Sequence, residues 1–223
     1  SAGALCYYLG SLANFYALTI IDANIERPLL FSYPIFVVLI TTLISRRAPP
    51  PRIVFALIVT SLGVLLVTDA LNDPLKKEEW SGMGWTVFCS FTIAIYFLIS
   101  EKLTKRLGTG LFTFIAMSAA ALCFAGHYQV LHGWPEVSLA RESWIILGGL
   151  VTVSTVLPLF LMAEGVRRVG AARAALISTI GPPATAIMAY HIIDETLSLT
   201  QILGVGMVII GVLALEIVKT RKL

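Results

Sequence analysis

Apolar residues run along this chain in long blocks that are interrupted only at short clusters of charge, glycine or proline. A helix crossing roughly 30 Å of hydrocarbon needs about 20 mostly apolar residues. Blocks of that length predict eight transmembrane helices, near residues 2–21, 28–45, 53–71, 83–100, 111–131, 143–163, 171–193 and 199–218. They lack the ten-residue alternation of a membrane barrel. In lipid every backbone polar group must be bonded within the segment, so helix is the element they predict. The expected fold is an all-α polytopic membrane protein. Composition agrees, with 57% hydrophobic and only 13% charged residues and a mean hydropathy of +0.88, well above what the core of a water-soluble domain requires.

The blocks repeat. A shift of 148 positions lays Pro34 on Pro182, Ala56 on Gly204 and Gly63 on Gly211 without a gap. The matched helices are five places apart, an odd number, so the second copy is expected upside down relative to the first. Such an inverted repeat is typical of secondary transporters, with the solute site near the midplane between the copies. Residues 1–72 then hold the last three helices of one five-helix repeat and 83–223 a complete second one, which leaves two helices expected before Ser1.

Charge sets the orientation. With connections assigned alternately to two sides, one side receives Arg46, Arg47, Arg52, Lys102, Lys105, Arg106, Arg167, Arg168, Arg173, Lys219, Arg221 and Lys222; the other receives Arg27, Lys76, Lys77 and Arg141. This bias places both chain ends in the cytoplasm, in a bacterial inner membrane. The net charge of +3 therefore reports topology and requires no nucleic-acid partner. Cys6, Cys89 and Cys123 fall inside predicted spans, as small packing residues, and suggest neither a disulfide framework nor a metal cluster.

"GAARAALISTIGPPATAIMAY" followed by "DETLSLTQILGVGMVIIGVLALE" resembles the closing helices of the EamA family of the drug/metabolite transporter superfamily, and "IERPLLFSYPIFVVLI" resembles its fourth helix. The resemblance implies ten helices in two inverted five-helix repeats, of which this chain carries helices three to ten. It also implies a secondary carrier of small metabolites (amino-acid-like, nucleobase-like or other small polar or amphiphilic solutes), often outward, with a proton, an exchanged solute or the solute's own gradient as the driving force. No cofactor is expected, and the protein is expected as a monomer or homodimer. Two departures leave the solute open: Arg46-Arg47 stand where the family usually has Glu, and Ile93 where an aromatic is common.

Proline within a lipid-embedded helix removes an amide donor and bends the axis, which is tolerated where neighbours or a water-lined cavity satisfy the freed carbonyl. Pro34 and Pro182 mark that bend in both repeats. The expected solute contacts are Asn14, Ser32, Tyr33, Pro34, Tyr96, Ser178, Thr179 and Pro182, around a hydroxyl-lined cavity without charge at mid-depth. Gly204 and Gly211, like Ala56 and Gly63, share one helix face for close packing away from the solute. Charged residues near span ends are the expected gates: Glu26 and Arg27 with Asp194 and Glu195 on one side, Glu164 and Arg173 on the other. Catalytic motifs such as His-Glu-x-x-His, Gly-x-Ser-x-Gly or a phosphate loop are absent from the sequence, so an enzyme is not expected. A membrane scaffold or truncated carrier remnant remains an alternative, and an intramembrane enzyme using Asp22, Glu26 and Glu164 a remote one.

A fluorescent protein fused after Leu223 is expected to be bright, and alkaline phosphatase fused there inactive. The opposite pair of results would exchange the two faces of the membrane.

Overall fold

The computed structural model describes residues 3–68, 79–133, 140–192 and 198–216. A π-helical turn, Ala4–Gly10, leads into α1 (Ser11–Leu18). Then follow α2 (Ala23–Leu30), α3 (Tyr33–Ser45), α4 (Pro51–Val67), α5 (Trp80–Leu107) and α6 (Thr109–His132). A second π-helical turn, Val151–Val156, joins α7 (Arg141–Leu150) to α8 (Leu157–Val169), and α9 (Ala171–Ser178), α10 (Gly181–Ile192) and α11 (Leu199–Glu216) complete the described chain. All described secondary structure is helical.

Four of the expected spans are long and apolar enough to cross a membrane as single units: Ile25–Ser45, Trp80–Leu107, Thr109–His132 and Arg141–Val169; α4 and α11 are shorter apolar helices. The first unit, Ala4 to Leu18, and the pair α9 and α10 occupy the remaining two predicted places. The molecule is an all-α polytopic membrane protein. Its exterior is what lipid requires: Leu43, Leu122 and Val130 are each about three-quarters or more exposed, which in water would amount to an extended apolar patch.

The same shift of 148 relates the elements. It carries residues 23–30 onto 171–178, the bounds of α9, residue 33 onto 181, where α10 begins, and residue 51 onto 199, where α11 begins. The break between α2 and α3 therefore falls at the place equivalent to the break between α9 and α10. Proline explains both. Pro34 has no N–H to offer the Leu30 carbonyl, and Pro182 and Pro183 have none for those of Ser178 and Thr179. The chain steps through a tight turn instead: the Ser32 amide donates to the Leu29 carbonyl at 3.2 Å, and the Ile180 amide to the Ile177 carbonyl at 3.2 Å. Hydroxyls turn back onto the same turns, Ser32 Oγ to Leu29 O at 2.6 Å and Thr179 Oγ1 to Leu176 O, the residue before Ile177, at 2.6 Å, so the last turn of each first half remains bonded.

Around these broken helices, α5 is the central post, packed against α1, α2, α3, α6, α8 and α9. To one side α4 and α11 form the most extensive helix pair. Their backbones approach through glycine. A Cβ at Gly204 would stand 2.7 Å from both the Gly63 carbonyl oxygen and the Val67 nitrogen, and one at Gly63 would stand 2.9 Å from the Gly204 oxygen. In lipid, where apolar surface gives helices no reason to prefer each other over acyl chains, such contact between small residues is the main cause of association.

Gly204→Ala is expected to destabilise the protein by about 1–3 kcal/mol, because overpacking here meets backbone rather than a movable side chain. Gly206→Ala, on the same helix but with nothing within 4 Å of its Cβ position, is expected to be neutral or slightly stabilising in the same detergent melting assay.

Candidate functional site

The two helix breaks face each other. Phe31 ends α2, and its ring tip lies 3.4 Å from the position a Cβ would take on Gly181, the first residue of α10. Beside this contact the Tyr33 hydroxyl is hydrogen-bonded to Ser178 Oγ, which in turn donates to the Ala175 carbonyl at 2.8 Å. Tyr33 is buried and stacks on Phe97 of α5, ring centroids 5.4 Å apart. One aromatic side chain thus ties α3, α5 and α9 together.

A cavity of about 370 Å³ opens against this junction. Its walls are Cys6, Tyr7, Ser11, Asn14 and Phe15 from the first unit, Leu30, Phe31 and Tyr33 from the first break, Cys89, Ile93, Tyr96 and Phe97 from α5, and Met162 from α8. The α5 positions straddle the middle of that 28-residue helix, so the cavity sits at mid-depth. The size falls within the range of small-molecule pockets, about 300–1,000 Å³.

Of the expected solute contacts, Asn14, Tyr33 and Tyr96 line this cavity. Ser32, Pro34, Ser178, Thr179 and Pro182 do not: Ser32 and Thr179 bond the preceding turn, Ser32 also meets Ser90 Oγ at 3.0 Å, and both prolines are buried at the breaks. They shape the junction rather than the wall. The wall is consequently more aromatic and less hydroxylated than expected. Tyr7, Ser11 and Asn14 recur at helical spacing, as do Cys89, Ile93, Tyr96 and Phe97, and that periodicity was the available signal.

Tyr33, Val37, Ala94, Phe97, Val166, Ala171 and Ala175 form a packed layer that shares Tyr33 and Phe97 with the cavity wall. Two carboxylates hold the helix ends beyond it. Glu101 Oε2 accepts the Ala171 amide of α9 at 2.9 Å, while its Oε1 meets Lys105 Nζ at 3.0 Å. Gly170, which precedes Ala171, has φ +85°, a region that strains any residue with a Cβ, and this sharp turn presents the amide to Glu101. Glu164 accepts from Arg167 Nη2 at 2.7 Å, from Arg168 Nε at 2.6 Å and from the Thr109 hydroxyl, so α8 is fastened to the start of α6. Arg173 is exposed and makes none of these bonds. At the opposite end Glu26 is fully buried and pairs with its neighbour Arg27 at 3.4 Å. Asp194 and Glu195 lie outside the described residues.

Residues 80–216, more than half of the chain, match the model of the EamA-like transporter family. The chain belongs to the EamA-like transporter family. An uncharacterized transporter of Bacillus subtilis, YcbK, is 29% identical over 99% of this chain and 72% of its own length. An uncharacterized transporter of Archaeoglobus fulgidus is 27% identical over 83% of this chain and 64% of its length, and one of Synechocystis 26% over 86% and 68%. A crystal structure superposes with a TM-score of 0.82 at 15% identity, covering 99% of this chain and 76% of the other; that likeness shows the fold. This EamA-like protein is therefore a membrane transporter.

Glu101→Ala is expected to cost about 1 kcal/mol, the usual effect of losing a side-chain acceptor at a helix N-terminus. Lys105→Ala is expected to cost less, since an exposed i,i+4 ion pair contributes about 0.3–0.5 kcal/mol. Equal losses in thermal unfolding would mean that the cap on α9 contributes nothing.

Proposed function

We propose that this EamA-like protein is a secondary carrier of small polar or amphiphilic metabolites, working by alternating access and moving solute outward across a bacterial inner membrane with both chain ends in the cytoplasm. It carries solute without chemical change. The observation that supports this most directly is the position of the cavity: at mid-depth, lined by the first of two helix breaks that a shift of 148 residues relates and that touch each other through Phe31 and Gly181. Discontinuous helices at a repeat interface are where carriers place their solute.

The contacts at the Leu107 end supply one half of an alternating cycle. With the packed layer formed and Glu101 on Ala171, the path from the cavity to that end is shut. Under the orientation given by the basic residues, this is the cytoplasmic side. Opening there requires α9 to move from α5, and the break at Thr179-Ile180 provides the joint about which its first half turns.

In reconstituted vesicles assayed by counterflow with a panel of labelled amino acids, nucleobases and other small solutes, Ile93→Trp is expected to abolish transport by filling the cavity. Tyr33→Phe, which removes one hydrogen bond between the breaks, is expected to change the rate by about five- to tenfold, the kinetic equivalent of about 1 kcal/mol. Normal transport by both variants at normal expression would place the solute path elsewhere.

A further inference from the structure

Glu26 does not line the cavity but is fully buried behind it, beside the wall residue Asn14, and its surroundings leave it poorly compensated. Its side chain has no exposed surface, and neither carboxyl oxygen has a hydrogen-bond partner. Its ion pair is with Arg27, the next residue in the helix, whose side chain is 58% exposed. Adjacent helical residues point in different directions, so the guanidinium approaches from the outer edge and leaves the inner edge bare. On that inner edge the carboxyl group lies near Asn14 and Cys89, and both of those residues belong to the cavity wall. The Asn14 Oδ1 atom is itself buried without a partner, as are the hydroxyls of Tyr7 and Tyr96 on the same wall.

A carboxyl group enclosed in apolar surroundings is costly unless something with donors and positive charge completes it. No Lys, Arg or His lines the cavity. What does line it is π-surface: Tyr7, Phe31, Tyr33, Tyr96 and Phe97 present rings, and ring faces attract cations. A buried carboxyl group behind the wall, an unpartnered amide oxygen on it, aromatic faces and the lack of any cationic side chain among the lining residues together disfavour carboxylates and phosphates and favour an ammonium group.

We propose that the cavity takes solutes bearing a protonated amine on an apolar or aromatic body, with the Asn14 carbonyl oxygen accepting from the ammonium and Glu26 supplying the countercharge behind it. This deepens the carrier reading of the same cavity and rests on it. Arg27 is then the resting partner of Glu26, and the solute completes a pairing that Arg27 leaves half made.

The test uses the full chain in lipid nanodiscs and two probes that share ring and chain length, 2-phenylethylamine and 2-phenylethanol. The amine is expected to bind at least about tenfold more tightly, as a charge-assisted contact predicts, and Glu26→Gln to bring the two within about threefold of each other. Equal binding of both probes, binding of neither, or an unchanged ratio in Glu26→Gln would overturn the proposal. A second measurement needs no change at Glu26. With Cys6→Ala and Cys123→Ala leaving Cys89 as the reactive thiol, 2-aminoethyl methanethiosulfonate is expected to label it at least about tenfold faster than the anionic 2-sulfonatoethyl reagent, after normalisation to free cysteine. Equal rates, or a faster anion, would count against the inference as firmly as equal binding. Counterflow separates the two readings: transport of both probes without preference would leave a carrier whose cavity does not select amines, whereas preferential amine binding without flux of any panel solute would leave an amine site in a protein that is not acting as a carrier.

Discussion

A missing amide proton is the constraint on which this structure turns. In lipid a backbone carbonyl without a donor costs several kcal/mol, so each proline inside a span forces a local solution. At Pro34 and at Pro182-Pro183 the solution is the same: the helix stops, serine and threonine hydroxyls bond the last turn, and a new helix starts at the proline. A broken helix cannot face lipid at its break, because the turn exposes polar backbone. Both breaks are therefore driven inward, and because they occupy equivalent places in related segments they are driven toward each other. The contact of Phe31 with Gly181 and the bond from Tyr33 to Ser178 are the consequence.

Once two breaks meet, packing around them is necessarily imperfect. Straight helices interlock along their length, as α4 and α11 do through Gly63 and Gly204. Helices that stop and restart leave space at the joint, and the cavity beside the first break, lined by Phe31, Tyr33 and Tyr96, is such a space. The division of labour follows from chemistry: the glycine-packed pair has no joint and can serve as a fixed frame, while α2, α3, α9 and α10 carry the joints.

Much of this was legible in the sequence, for identifiable reasons. The length of a span is set by the bilayer and not by tertiary context, so eight apolar blocks could be counted, and proline acts through covalent structure, so the breaks could be placed. The internal shift of 148 survives because both copies obey the same two rules. The cap of Glu101 on Ala171 joins residues 70 positions apart, and nothing local in the chain marks it. Glu164 is intermediate: the gate expectation set it with Arg173, which stands beyond the turn at Gly170, whereas its partners are Arg167 and Arg168 at i+3 and i+4, a spacing present in the sequence. The cavity wall was half legible. Asn14, Tyr33 and Tyr96 were polar enough to stand out and Ile93 stood out as a departure from a common aromatic, whereas Cys6 read as ordinary packing and Met162 carried no signal, because only the meeting of four helices turns them toward a common space.

Glu26 shows why burial must be weighed with sequence position. At the head of an apolar run, an adjacent acid and base read as an interfacial pair at a gate. The structure separates them by environment: Arg27 is mostly exposed and Glu26 has no exposed surface at all. Since α2 packs chiefly against α5, neighbouring residues, turned roughly 100° apart, meet different surroundings. The same geometry that exposes the arginine directs the carboxyl group toward Asn14 and the wall of the cavity. A charge placed there contributes little to holding the helix in the membrane, which Arg27 does from the outside. In the proposed reading its effect falls on whatever enters the cavity beside it, and its sign favours positively charged groups.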